Sequence, residues 1–532
     1  MEGKTFRLLY PRGRRDAADT GMKDYEFIRM LEIDVMVVIP QNQYRGISGL
    51  RLEEFYTTDT ETIKYRLDIM RDIIEHRELY QLLMKALPLI QSTHDLRKIM
   101  SSDFTVDSSL SSIRTLEMYV ELVELFRDGF SGMKLGSRGM QRLQQEILGI
   151  ATGAEYQNLS RELKKMETNF GSIKSLTIGL NLDENLQVRD GGILSVNTKH
   201  FHNGTLLERL TGKQEKDEYA CMTPLFPIRR GLNQNDVKAM NNGVSNAFGT
   251  IFAKCIRDFE PVVQKYFSVN TSFFTNLMDD IRFLCAGARF IMDMEKQGYQ
   301  MCKPEIAPME EKCCDLMAVY NPMLAMTGVE KTVVSNEFHF DEKGRFYLVT
   351  GPNHGGKSIF AYSVGMAQAL FQLGLYVPAV SARISPVTGI FTHFPSSDED
   401  NYGKGRLESE CARLSRILKQ LEETDMLLMD ETFSSTSGLE AGYIASEVLT
   451  GLGIIGCGGI YVTHIHDLPQ RIGEFNEHPD NRGKIDNLVA QMEDRENGVR
   501  SYRVMRTTPD GLSYAKDIAG QYGLTLEEIL RQ

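Results

Sequence analysis

The sequence predicts an α/β domain built around a phosphate-binding loop, preceded by a mostly α-helical region with a small β insertion. Three observations predict it. The first is a loop with the spacing G-x-x-x-x-G-K-S, set between the strand-like RFYLVT and the helix-patterned IFAYSVGMAQALFQL. The second is a pair of later apolar strands that end in reactive side chains: DMLLMDETF reaches Asp430 and Glu431, and GGIYVTHIHDL reaches His464. The third is the upstream stretch of roughly 300 residues, whose apolar period is helical except where it alternates across 172–197.

Residues 1–57 are mixed in pattern, and DVMVVIPQ (34–41) fits a short strand or a buried loop. From residue 58 to about 310 the pattern is that of a helical core. Thr58 and Glu61 have capping-box spacing before a one-sided apolar stretch that runs to MKAL. A second helix fits SSIRTLEMYVELVELFRDG, ending at Gly129, and a third fits 137–168 with a break near Gly149 to Gly153. SIKSLTIGLNLDENLQVRDGGILSVN then reads as a β-hairpin turning at Asp183-Glu184-Asn185. A long amphipathic helix follows, with apolar residues at Val244, Phe248, Ile251, Phe252, Cys255, Ile256 and Phe259, and another spans about 272–298. Residues 311–532 form the nucleotide-loop domain.

Composition narrows the class. With 42% hydrophobic and 25% charged residues the chain is ordinary globular protein, and its net charge of −12 excludes a globally basic nucleic-acid coat. Contact with DNA would therefore depend on local basic residues such as Arg161, Lys164, Lys165 and Lys174 around the hairpin, or on an enclosing shape. The eight cysteines contain no C-x-x-C pair and read as reduced thiols rather than a disulfide framework or zinc site. No run of 18 apolar residues and no apolar segment near the N-terminus occur, so a soluble, cytoplasmic protein without membrane contact is expected. His76, His94, His200, His202 and His339 have no evident partner in the pattern and read as surface or satisfied histidines.

The chemistry concentrates in three places. In the loop Gly351-Pro352-Asn353-His354-Gly355-Gly356, glycines let backbone N–H groups turn toward phosphate oxygens, and the following helix points its positive end there. Lys357 reaches the β- and γ-phosphates, and the Ser358 hydroxyl is a ligand for Mg²⁺. Asp430, 73 residues beyond Lys357, completes the Mg²⁺ shell, while Glu431 polarises the attacking water. His464, at the end of a third strand, donates to the γ-phosphate or to that water. The Asp-Glu pair and the lack of an N-K-x-D signature favour ATP over GTP. All three strand ends are expected at the carboxyl edge of one sheet, where such folds bind ligands.

Taken in order, YLVTGPNHGGKSIF, GLYVPA, GIFTHFPSSDEDNYGKG, LLMDETFSSTSGLE and YVTHIHDL resemble the MutS family of DNA mismatch-repair ATPases. DGLSYAKDIAGQYGLTLEEIL (510–530) is similar to the family's closing segment, and FLCAGARFIMDMEKQGYQMCKPEI (283–306) to its connector. The resemblance implies a head-to-tail dimer of ABC-like P-loop ATPase domains, each site completed by the partner, with helical levers that enclose DNA. It assigns phosphate and Mg²⁺ binding to Asn353, Gly355, Gly356, Lys357 and Ser358, and hydrolysis to Asp430, Glu431 and His464. Asn336 falls in the loop that the family places near adenine, and Thr436 and Ser437 in the loop near the dimer interface.

Departures from the pattern also carry expectations. The family's Ser-Thr pair, which reaches the partner's γ-phosphate, is Gly405-Arg406 here. Gly405 still offers a backbone N–H at a helix start, and Arg406 supplies positive charge in trans. The family's glycine-arginine-glycine is Phe433-Ser434-Ser435, and its aromatic near adenine aligns with Val333. The family's mismatch wedge, Phe-x-Glu, occurs nowhere in the first 258 residues, so binding to branched DNA or without mismatch specificity is expected, by a homodimer that uses ATP and Mg²⁺. Two alternatives stay open: an ABC-like chromosome-maintenance ATPase of another branch, and a scaffold that uses nucleotide as a switch without significant turnover.

Overall fold

A computed structural model describes residues 6–13, 21–39, 50–99, 106–170, 175–182, 184, 188–197, 199–200, 202–203, 220–221, 265–266, 272–328, 333–352, 354–395, 405–465, 467–494, 499–507 and 529. It is a mixed α/β structure in two compact units. One comprises residues 1–83, 134–142 and 279–532, the other 84–133 and 143–278. No helix among the described residues is long and apolar enough to cross a membrane.

The first unit is organised by a six-stranded sheet. In chain order its strands are β1 (Phe346–Thr350), β2 (Ile390–His393), β3 (Met426–Asp430), β4 (Gly458–Val462), β5 (Ile485–Asp494) and β6 (Val499–Met505). They lie side by side as β2-β3-β4-β1-β5-β6, parallel except for the last pair. β1, β3 and β4 are apolar almost throughout and buried along their length, because parallel strands are covered on both faces. Three helices provide the cover: α1 (Lys357–Leu373), α2 (Arg406–Leu418) and α3 (Gly438–Ile455). The two-residue side-chain period divides the faces. Leu427 and Met429 enter a core with Leu414 of α2 and Ala445 and Leu449 of α3, whereas Leu428 points to α1. There Gly365 lets helix and strand close up, since a Cβ at that position would lie 2.4 Å from Leu428 and 3.0 Å from Leu31.

A smaller four-stranded sheet, ordered 305–306, 381–384, 314–319, 336–339, belongs to the same unit. So do the described parts of residues 1–57. Leu8, Leu9, Phe27, Leu31, Ile33 and Met36 are fully buried, and Lys23 bridges Asp425 at 2.9 Å and Glu422 at 2.7 Å. The stretch expected as a short strand or buried loop begins instead as a helical turn, Ile33–Met36, that buries Ile33 and Met36. The cap expected at Thr58 is displaced by one residue. Asp59 accepts from the N–H groups of Glu61 and Thr62, and the helix runs Thr60–Glu75 before breaking at His76 and resuming as Arg77–Ile99.

In the second unit, helices Val106–Gly129 and Ala154–Phe170 pack on each other, with Phe126 stacked on Phe274 and Tyr119 edge-on to Tyr156. The expected break near Gly149 to Gly153 falls at Gly153, whose N–H closes on the Ile150 carbonyl. The hairpin is Ser175–Leu182 against Val188–Asn197, antiparallel with two bulges. The amphipathic helix expected across 235–267 lies almost wholly outside the described residues, as does the closing segment 510–530.

Candidate functional site

Parallel register fixes the centre of the site. Asp430 pairs with Val462, and Val462 with Val349, so β3, β4 and β1 end side by side and discharge their connecting loops on one edge. The loop after β1 turns at once. Gly351 has φ 129, and a Cβ there would sit 2.9 Å from both the Cβ and the carbonyl oxygen of Ala490 on β5. Only glycine satisfies both the left-handed backbone and the close approach. His354 (φ 58) and Gly356 (φ 84) continue the turn, and Gly355 donates to the Pro352 carbonyl at 3.2 Å. Gly356 is the N-cap of α1, whose first internal bond runs from Phe360 N–H to the Gly356 carbonyl. The N–H groups of the preceding turn therefore lack intrahelical acceptors and face the loop. Asn353 lies outside the described residues.

Lys357 is buried, and its Nζ donates to the carbonyls of Gly351 (3.0 Å) and Pro352 (2.9 Å), folded back on the loop. Burial brings its ammonium down to about 8, with Glu431 and Asp430 pulling the other way. Ser358 Oγ donates to Asp430 Oδ1 at 2.9 Å, and Tyr362 Oη donates to Oδ2 at 2.8 Å. Burial raises the Asp430 carboxyl above the usual range, and these two hydroxyls moderate the rise. Glu431 follows in the left-handed region (φ 47), anchored by its N–H on the Val462 carbonyl. Its carboxylate meets His464 Nε2 at 2.7 Å, and both side chains are partly exposed.

Lys357, Ser358, Glu431 and His464 line one cavity of about 730 Å³ together with His354, Gly355 and Gly356, and Leu324, Val333, Val334 and Tyr502 give it apolar and aromatic surface. Asp430 is not among the lining residues and meets the cavity wall through its hydrogen bond with Ser358. Asn336 also borders the cavity, but its amide is engaged: Nδ2 donates to the Tyr502 carbonyl (3.2 Å), and Oδ1 accepts from Val504 N–H (2.7 Å). Tyr502 has φ 56 and sits in a bulged stretch of β6, its ring beside Gly356. Tyr362 and Tyr502 were not legible as site residues from the local motifs. Tyr362 has a signal, four residues after Ser358 on one helical face; Tyr502 has none.

Gly405, Arg406, Thr436 and Ser437 do not line the cavity. Gly405 is the N-cap of α2, with open space where a Cβ would be, and the exposed Arg406 lies 3.7 Å from the buried Glu410. Ser437 caps α3, and the hydroxyls of Thr436 and Ser437 both donate to Glu440. One turn beyond, Leu439 and Tyr443 are 86% and 70% exposed, an apolar pair beside the capping loop.

Comparison with known proteins agrees with this architecture. Residues 347–525 match the family model described as MutS domain V, and residues 58–297 the one described as MutS2 N-terminal domain. Curated proteins similar to the chain include the DNA mismatch repair protein MutS of Prochlorococcus marinus (strain AS9601), 32% identical over 173 residues, covering 31% of this chain and 19% of that protein. The proteins of the same name from Chlorobium phaeobacteroides (29% over 248 residues, 46% and 27%) and Halothermothrix orenii (30% over 202 residues, 37% and 22%) are similar to it too. The matched part thus spans 19–27% of the length of these relatives. The chain belongs to the MutS family.

Proposed function

We propose that this chain is a DNA-binding ATPase with an ABC-like P-loop domain, which hydrolyses ATP at sites shared by two copies and uses the cycle to control clamping on DNA. The observation that carries the proposal is the convergence of Lys357, Ser358 and the Glu431–His464 pair on one cavity that also has apolar surface, with Asp430 hydrogen-bonded to Ser358. A triphosphate fits the glycine turn and the start of α1, and an adenine ring fits Leu324, Val333, Val334 and Tyr502. Asn336 holds the strand that carries Tyr502 rather than reading the base itself.

The oxygens of Ser358 and Asp430 are hard donors 2.9 Å apart, suited to Mg²⁺, which usually takes one or two protein oxygens beside substrate phosphates. When bound, the ion neutralises charge on the β- and γ-phosphate oxygens. Lys357 leaves the Gly351 and Pro352 carbonyls for the phosphates and regains an anionic partner for its buried charge. Glu431 orients the attacking water and takes its proton, while His464 donates from Nε2 to hold the carboxylate in place beside the γ-phosphate. Gly405, Arg406, Thr436 and Ser437, outside the cavity of their own chain, complete the site of a second copy, and Leu439 and Tyr443 give that contact an apolar component.

Phosphate release measured with and without four-way-junction DNA, together with sedimentation in ATP, ADP and no nucleotide, tests the proposal. Turnover stimulated by DNA and a dimer favoured by ATP are expected. No turnover in either condition, with one mass in all three states, would refute it. Gly405 favours a weaker reading, a nucleotide-switched scaffold, because it carries no hydroxyl toward a partner's phosphate; ATP-driven dimerisation without turnover would select it.

A further inference from the structure

We propose that Tyr362 is a positioning residue that fixes which oxygen of Asp430 is presented to the metal. This rests on the reading of the cavity as a site for ATP and Mg²⁺. Ser358 and Tyr362 stand four residues apart on α1 and so share a face. Each claims one oxygen of the same buried carboxylate: Ser358 takes Oδ1 at 2.9 Å, and Tyr362 takes Oδ2 at 2.8 Å.

The two hydroxyls are not equivalent as partners of a metal-binding carboxylate. A serine oxygen can give one lone pair to the metal while its proton stays on Oδ1, so that side of the carboxylate is shared with the metal shell. Tyr362 lies outside the shell, because its oxygen is not a ligand in this scheme, and it holds Oδ2 whether or not the site is filled. Its ring is braced against Phe394 on the far side, with centroids 4.4 Å apart, so the phenol does not swing freely. A carboxylate held at Oδ2 offers only Oδ1. One freed at Oδ2 can pivot or present both oxygens, and Mg²⁺ tolerates departures from octahedral geometry poorly. Partners of this kind typically contribute about 10–100-fold to metal affinity.

The test uses the full chain, a fluorescent methylanthraniloyl-ADP, and Tyr362→Phe, which removes only the hydroxyl. Binding is measured in EDTA and then across a Mg²⁺ titration. Affinity in EDTA is expected to match the parent, while the Mg²⁺ concentration giving half the metal effect rises about tenfold. Mn²⁺, more tolerant of bidentate carboxylates, should recover most of the loss. Phe394→Leu, which keeps the hydroxyl but loosens its brace, should shift the Mg²⁺ dependence in the same direction by a smaller factor. A Mg²⁺ midpoint within twofold of the parent overturns the proposal. So does an equal loss in EDTA and Mg²⁺, which would mark Tyr362 as a packing residue. If the parent chain itself binds the nucleotide without any Mg²⁺ effect, or not at all, the ATP reading falls, and this inference with it.

Discussion

Replacing Glu431 by glutamine separates the chemistry from everything else the site does. The substitution keeps shape and removes one charge. Glu431 is already in the left-handed backbone region, which glutamine tolerates no worse, its side chain is 41% exposed, and the buried Lys357 keeps Asp430 as an anionic neighbour. Stability should shift by no more than about 0.5 kcal/mol. His464, 2.7 Å away, keeps an acceptor in the amide oxygen, so the pair retains its geometry. What disappears is the base that orients the water, and positioned general bases contribute on the order of 10²–10⁴-fold. Two decades correspond to about 2.7 kcal/mol of barrier. Phosphate release at saturating ATP and Mg²⁺ should therefore fall at least about 100-fold, while equilibrium affinity for the nucleotide stays within about threefold. Because hydrolysis resets the dimer in the proposed cycle, sedimentation of the variant in ATP should show dimer accumulating. Turnover at the parent rate would refute the role assigned to Glu431. A parallel loss of binding would refute it as well, since it would mean the carboxylate acts on the bound ground state.

Three further expectations concern parts of the molecule that the first leaves untouched. Tyr502→Gly preserves the left-handed backbone and deletes the ring. ATP affinity should fall about 3–10-fold, the scale of one aromatic contact, with inorganic tripolyphosphate bound as before in a displacement assay. His393, buried between Thr432 and the Glu410 carbonyl, is held down to about 4 by burial from an ordinary 6.5. The unfolded chain binds a proton that the folded chain refuses between those values, so stability falls as pH drops through the window, by about 2 kcal/mol between pH 7 and pH 5. Denaturant titrations at the two pH values should show this loss shrinking in His393→Gln. Anisotropy on matched, G·T-mismatched and four-way-junction DNA should give at most a few-fold preference for the mismatch, any larger preference going to the junction, and binding that weakens with salt. A tenfold preference for the mismatch, about 1.4 kcal/mol, would show a wedge that the Phe-x-Glu pattern does not capture.

The parts of the site that sequence made legible share one physical property: they sit at the ends of fully buried parallel strands. Such strands are uninterrupted apolar runs, so the polar residue that ends each run marks the sheet edge, and Asp430, Glu431 and His464 could be placed there without knowing the strand order. The glycine turn was legible for a similarly local reason, since its spacing encodes the backbone it needs. Contacts whose two halves lie far apart in the chain left no such trace. Asn336 clamps Tyr502 across 166 residues through a bulge in β6, and nothing in either neighbourhood announces it. The fold shows the same division. Helices with one exposed face were found from their period. The first 57 residues were not resolved into elements because Phe27, Leu31, Ile33 and Met36 are buried together, which erases the contrast between faces on which periodicity depends. Gly405 lies between these cases. From sequence it counts as a lost hydroxyl. Its place as the N-cap of α2, with open space around its Cα, keeps the helix start itself intact. The composite site would therefore lose a side-chain donor but keep the backbone N–H groups and the positive end of the helix, which attract a partner's phosphate whatever residue caps them.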